Sequence, residues 1–221
     1  MDPCKLKTLH NAKEICMEDK KAFIESVKNI IYPVFPLLSD LFLQKSCTTK
    51  GVCLDIGTGN GYLGLALAEK SDLLVRLVDV DPEMLEFANE NIKERQLTDR
   101  VDTVLANVEA LPFPNNYADL IVSRGSVFFW ENQVGAFNEV YRVLAPGGMT
   151  FIGGGFVTPE LMKEIGCKMK KNDPDWERHL AERIGPDAPE RFREVLHKTD
   201  IPVSKVEISY DYANLWIIIR K

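Results

Sequence analysis

From residue 51 onward, short apolar runs alternate with longer amphipathic stretches, and this alternation constrains the fold more than any other feature. "GVCLDI" (51–56), "LLVRLVDV" (73–80), "RVDTVLAN" (100–107), "ADLIVS" (118–123) and "MTFIGGG" (149–155) have the length and composition of strands. Between them lie "YLGLALAEK", "PEMLEFANENIKERQ" and "VGAFNEVYRVL", which have helical composition. Pro82 stands at a favoured first-turn position, and Asp81 before it reads as the helix N-cap. The third of these helices stops at "APGG". Strands alternating with helices predict the α/β class, a doubly wound Rossmann-like sheet that is mostly parallel. The tail "VSKVEISYDYANLWIIIRK" alternates on either side of "DYAN", which predicts a C-terminal antiparallel hairpin.

The ends differ from this core. Residues 8–46 read as two helices broken around Pro33 and Pro36, and residues 158–199 as further helices. The expected layout is a single domain over 1–221. It comprises a helical cap (1–48), a ligand-binding core (51–156), a helical insertion or lid (157–200) and the terminal hairpin (201–221).

A chain of 221 residues is long enough for one domain with a substantial core. The net charge of −6 argues against a nucleic-acid surface, whose usual footprint is a basic face. The five cysteines, Cys4, Cys16, Cys47, Cys53 and Cys167, show no CxxC pair, and Cys53 reads as a small core residue. "MDPCKLKTLH" lacks the apolar segment of a signal peptide. "IIYPVFPLLSDLFL" is too short to span a bilayer and holds two prolines and an aspartate. A soluble cytoplasmic protein with reduced thiols is expected.

"LDIGTGNG" is the most informative segment. A strand ends at Ile56, and Gly57, Gly59 and Gly61 turn the chain into a helix, where positive φ and close approach of a ligand favour glycine. The dinucleotide fingerprint GxGxxG requires glycine at position 62, where Tyr62 stands; the spacing here is GxGxG, with Asp55 two positions before it. Asp79 ends the second strand, at about the distance from which a carboxylate reaches ribose hydroxyls. After the third strand, Asn107 and the backbone of Val108 are candidates to meet the edge of a base.

"LDIGTGNGYLGLALAE", "VRLVDVDPEMLEFANENI", "NVEALPFPNNYADLIVS" and "EVYRVLAPGGMTFI" resemble, in order, the motifs of the class I S-adenosylmethionine-dependent methyltransferases. "LPFPNNYADLIVS" and "YRVLAPGG" are similar to the ubiquinone/menaquinone-methyltransferase-like branch. The resemblance covers about 51–156 and implies S-adenosyl-L-methionine as cofactor, S-adenosyl-L-homocysteine as product, and no metal. It implies that Asp55 and the Gly57–Gly61 backbone line the methionine portion and that Asp79 binds the ribose. Val80 and Met84 would pack on adenine, and Ser123 would offer its backbone to the cofactor's amino group. Asn107 stands where the family usually has aspartate accepting from the adenine amino group; an amide oxygen accepts as well, without the charge.

The acceptor pocket of such a sheet lies beyond the carboxyl ends of the strands, beneath the cap. Tyr32 and Phe35 from the cap, and Arg124, Phe128 and Trp130 from "SRGSVFFW", are its candidate lining. Consecutive rings cannot all face one way, so part of the Phe128–Trp130 run packs as core and at least one ring faces the acceptor. Arg124 is the candidate anchor for an acidic acceptor or for the cofactor's own carboxylate. His10, His179 and His197 lie outside the core motifs and read as surface or packing residues, so no general base is assigned.

The expected function is methyl transfer to a small-molecule acceptor by in-line displacement. A nicotinamide-dependent oxidoreductase is the competing reading, against which the GxGxG spacing and the terminal hairpin count. A non-catalytic cofactor-binding protein is another, since fold does not fix function. Macromolecular methylation is disfavoured by the acidic balance, and thiol-mediated arsenite methylation by the lack of an adjacent cysteine pair.

Overall fold

The computed structural model describes residues 17–221; Cys4, His10 and Cys16 lie outside that range. Its centre is a seven-stranded sheet made of β1 (Lys50–Ile56), β2 (Asp72–Asp79), β3 (Val101–Leu105), β4 (Ala118–Arg124), β5 (Leu144–Gly155), β6 (Val206–Asp211) and β7 (Asn214–Ile219). The strand order is β3-β2-β1-β4-β5-β7-β6, parallel as far as β5 and antiparallel over the last two pairings. The last strand in sequence is therefore not an edge. β7 inserts between β5 and β6, and every residue from Asn214 to Ile219 is buried, whereas the edge strand β6 is largely uncovered. A run such as "NLWIII" suits a strand covered on both faces.

Helices α3 (Tyr62–Glu69) and α4 (Pro82–Glu94) follow β1 and β2, and α5 (Gln133–Val143) follows β4. Asp81 caps α4, its carboxylate accepting from the Glu83 N–H at 3.0 Å. The N-terminal segment contributes α1 (Met17–Ser26) and α2 (Val34–Ser46). Phe42 of α2 stacks on Phe151 of β5 with ring centres 4.4 Å apart, and both are fully buried. Each such side chain contributes roughly 1.5–3 kcal/mol of burial. Between β5 and β6 run α6 (Pro159–Met169), α7 (Trp176–Ile184) and α8 (Ala188–Leu196), with Phe192 of α8 edge-on to Phe137 of α5.

Two local expectations are corrected. The cap breaks once, at Pro33, and Pro36 lies inside the first turn of α2. A first-turn residue has no intrahelical N–H bond to lose, so proline is tolerated there. The link before Pro33 is a π-helical turn over Val27–Ile31, closed by the Tyr32 N–H on the Val27 carbonyl at 2.8 Å. The fifth strand starts at Leu144 rather than 149: Leu144 pairs with Ala118 ahead of the glycine turn, and the register then shifts so that Met149 meets Leu120. Among the described residues no helix is long and apolar enough to cross a membrane.

Candidate active site

The strand order reverses between β1 and β4: the chain leaves β1 toward β2 and β3, then returns to the other side. Ligands of open α/β sheets bind outside the carboxyl ends at such a point. Here the loop after β1 carries Gly57, Gly59 and Gly61 at φ of +64°, +57° and +86°. Two N–H groups, of Gly57 and Thr58, converge on the Val78 carbonyl at 2.8 and 3.0 Å and fasten the loop to β2. A side chain at Gly57 would put its Cβ 2.2 Å from that of Ser126, whereas one at Gly59 would meet nothing within 4 Å. The loop is packed on one flank and open on the other.

Two carboxylates hold this loop from below and from the side. Asp55 is 2% exposed and accepts from the Thr58 hydroxyl at 2.7 Å and the Gly64 N–H at 2.9 Å, both on Oδ2. Burial pushes its carboxyl up to about 6, against the pull of those donors. Asp79 accepts from the Gly59 N–H at 2.8 Å on Oδ2 and from the Asp81 N–H at 3.0 Å on Oδ1. Burial raises its pKa as well. An ionised carboxylate has about four acceptor positions, so two bonds leave it acceptor capacity.

Next to Asp79, Val80 is 65% exposed, and Leu105 at the end of β3 is 60% exposed. Isolated surface apolar residues are ordinary, but these two stand together: Leu105 ends β3 and pairs with Asp79, the residue before Val80. Met84 is half-buried on α4, Val108 is buried and Asn107 is exposed. The Asn107 oxygen accepts the Glu109 N–H at 3.0 Å, which turns the loop.

On the other side of the switch, Ser123 is buried and its hydroxyl lies 2.6 Å from that of Ser126. The Ser126 hydroxyl donates to the Ile56 carbonyl at 3.1 Å and accepts from the Trp130 indole N–H at 3.1 Å. One serine thus ties the ends of β1 and β4 together. Trp130 is half-buried, its ring edge-on to Phe137 at 5.5 Å. Phe128 packs over Gly154 and against Phe192 at 6.0 Å. The ring with most solvent exposure is Phe129, at 45%.

Arg124 leaves β4 toward β5, donating from Nε to the Gly155 carbonyl at 3.1 Å. Tyr32 meets Phe35, whose ring also lies under Arg124, at 6.5 Å. The Tyr32 ring is edge-on to Tyr62 at 5.2 Å, and its hydroxyl accepts from Arg95 at 3.1 Å. Lys20 of α1 bridges Asp81 at 2.6 Å and Glu83 at 2.5 Å, closing the cap onto the start of α4. Asp55, the three glycines, Asp79, Val80 and Ser123 therefore gather at one switch point, with Met84, Asn107 and Val108 on its β2–β3 side. Arg124 and Phe128 face the β5 side, and Tyr32 belongs to a packed cap cluster. Sequence reasoning placed Ser126 only in the loop after β4, and missed Arg183 and Asn60. The Asn60 Nδ2 is buried with no partner among the described residues, in the middle of the glycine loop.

Comparison with known proteins fits this geometry. The family described as "Methyltransferase domain" (Methyltransf_11) matches residues 54–152. A crystal structure from Methanococcus maripaludis, assigned as an S-adenosyl-L-methionine-dependent methyltransferase, is 40% identical to this chain. It aligns with a TM-score of 0.90 over 97% of both chains. The chain belongs to the S-adenosylmethionine-dependent methyltransferases. It is therefore an enzyme of methyl transfer rather than a nicotinamide-dependent oxidoreductase. Among curated relatives, the ubiquinone/menaquinone biosynthesis C-methyltransferase UbiE of Serratia proteamaculans is 26% identical over 190 residues, 78% of this chain and 72% of that one. Phosphoethanolamine N-methyltransferase 2 of Haemonchus contortus, solved with S-adenosyl-L-methionine, is 21% identical. With a TM-score of 0.60 over 87% of this chain and 43% of that one, it shares the fold.

Proposed function

We propose that this methyltransferase binds S-adenosyl-L-methionine across the carboxyl ends of β1 to β4 and methylates a small molecule held between the Arg124 loop and the cap. The observation that carries the cofactor site is the junction of Gly59 and Asp79. A carboxylate at a strand end braces an open glycine turn and keeps acceptor capacity for ribose hydroxyls. Exposed Val80 and half-buried Met84 offer apolar surface to the adenine, and the Val108 N–H with the Asn107 amide its polar edge. Asp55 and the Gly57–Gly61 backbone would face the methionine portion, with the Ser123 backbone near its amino group. The orphaned Asn60 amide fits a site that gains a polar partner on binding.

The cofactor supplies a methyl group already activated on a sulfonium. The protein's task is to hold an acceptor in line with it and to exclude water. Such alignment supplies about 7–11 kcal/mol in well-oriented systems. Ser126 fixes the spacing of the two strand ends between which the reacting atoms would lie, and the cap, fastened through Lys20, would cover them. Free Cys47, Cys53 and Cys167 suit a cytoplasmic setting.

Asp79→Ala tests the assignment. Loss of charged hydrogen bonds of about 1.5–3 kcal/mol should weaken S-adenosyl-L-homocysteine binding about tenfold or more by titration calorimetry. Undiminished affinity would remove Asp79 from the ribose site.

A further inference from the structure

A second arginine approaches Arg124 from a distant part of the chain. The Arg124 guanidinium lies 5.5 Å from the ring centre of Phe35 and 5.3 Å from that of Phe156. Arg183, in the last turn of α7, lies 5.1 Å over the Phe129 ring. Two contacts hold α7 over the end of β5. Ile184 packs beside Gly154, and Trp176 meets the Phe156 ring at 5.9 Å. The Arg124 Nε is bonded to the next carbonyl along that strand, Gly155.

Neither guanidinium has a carboxylate within ion-pair distance among the described residues, although acids stand nearby. Asp173 accepts from His179 Nδ1 at 2.8 Å and from the Asp175 N–H at 3.1 Å. Asp175 and Glu182 pair with Arg178, at 3.2 and 2.9 Å. Burial, and then the charge of Arg183, push Arg124 down to about 10. Burial also lowers Arg183, with Asp173 and Glu182 opposing from a distance. Two like charges among aromatic rings are unfavourable unless an anion joins them.

We propose that Arg124 and Arg183 form the acceptor subsite for an oxyanion, a carboxylate or phosphate on a small molecule whose carbon framework lies along the exposed ring of Phe129. A guanidinium pairs with such groups through two parallel N–H bonds, and an aromatic wall leaves its donors free to do so. The subsite lies on the far side of the switch from the cofactor loop. β4 pairs with β1 on one edge and with β5 on the other; Arg124 bonds to the Gly155 carbonyl of β5, and α7, which carries Arg183, packs on Gly154 through Ile184. A clamp on the cofactor's own carboxylate would instead make cofactor affinity depend on both arginines. The inference rests on the methyltransferase reading only for what happens to the ligand once bound.

Titration calorimetry with benzoate, phenyl phosphate and the neutral benzamide, on protein saturated with S-adenosyl-L-homocysteine, tests it. At least one oxyanion should bind, at least about tenfold tighter than benzamide and more weakly as KCl is raised. The preference between benzoate and phenyl phosphate identifies the group. Arg183→Met should weaken the oxyanion about tenfold or more and leave S-adenosyl-L-homocysteine affinity unchanged. Should that variant not fold, Arg183→Lys keeps the charge, loses the forked geometry, and should weaken the oxyanion by a smaller factor. Equal binding of benzamide, no oxyanion binding at millimolar concentration, or parallel loss of both ligands in either variant would overturn the subsite. Failure of the wild-type protein to bind S-adenosyl-L-homocysteine would instead sink the cofactor reading, and the same oxyanion titration on the protein alone would still test the arginines.

Discussion

Asp55 should make this protein less stable as pH rises from 4 to 7, the reverse of an ordinary ion-paired aspartate. Its carboxyl is buried and accepts from Thr58 and Gly64, yet desolvation outweighs both donors and lifts the pKa from 3.8 to about 6. At about 1.4 kcal/mol per pH unit, that rise is about 3 kcal/mol. The sign follows from proton binding. Between pH 3.8 and about 6 the folded chain holds a proton that the unfolded chain has released, so stability falls with rising pH. Above about 6 the penalty is complete. Asp55→Asn keeps an oxygen for both donors and cannot ionise. Urea unfolding of the two proteins across this range isolates the residue, because titrations elsewhere largely cancel in the difference. The variant should gain on wild type by roughly 2 kcal/mol between pH 4 and pH 7, the part of the full shift that falls in that window. A difference that stays constant, or that turns in favour of wild type as pH rises, would refute the reasoning. Cofactor binding carries the same signature. A cationic sulfonium favours the ionised carboxylate, so S-adenosyl-L-methionine affinity should rise with pH through about 6 in wild type and not in Asp55→Asn.

Trp130→Phe keeps a ring against Phe137 and deletes the indole bond to Ser126, so urea unfolding should report a loss of about 1 kcal/mol. An unchanged midpoint would mean the bond adds nothing. Gly57→Ala meets both positive φ and the Ser126 Cβ, and should destabilise by more than about 2 kcal/mol, with Ser126→Gly restoring part; simple additivity of the pair would contradict the close approach. Arg142 bonds to Glu139 and to the Leu111 and Phe113 carbonyls, and lowers the Glu139 pKa. That contribution is complete above the ordinary carboxylate range and fades as pH falls through it. Arg142→Met should therefore lose more stability at pH 7 than at pH 3, and an equal loss at both would show the charge to be idle.

Most of the sheet was legible because each strand and helix carries its own period. The Asp81 cap and the terminal hairpin follow from local chemistry alone. What escaped depends on context: Pro36 sits in a helix because its missing N–H falls in the first turn, and Leu144 becomes strand because Ala118 lies beside it. The residues proposed for the cofactor site could be named for the same local reason. Asp55 and the glycines lie in one short segment, and Asp79 ends the next strand. On the β5 side Arg124 could be named, and Arg183 could not. Arg183 lies on a helix whose pattern announces only an amphipathic face, and nothing local ties it to Arg124. Ser126 likewise gains its role only when β4 lies beside β1 and its hydroxyl reaches the Ile56 carbonyl.

The central claim is that the cofactor lies over the glycine turn with its ribose on Asp79. A crystal structure with S-adenosyl-L-homocysteine tests it most directly. The account predicts both ribose hydroxyls within hydrogen-bond distance of the Asp79 carboxylate, about 2.5–3.0 Å, with adenine against Val80. A ribose bound elsewhere, or density confined to the β5 side of β4, would contradict it.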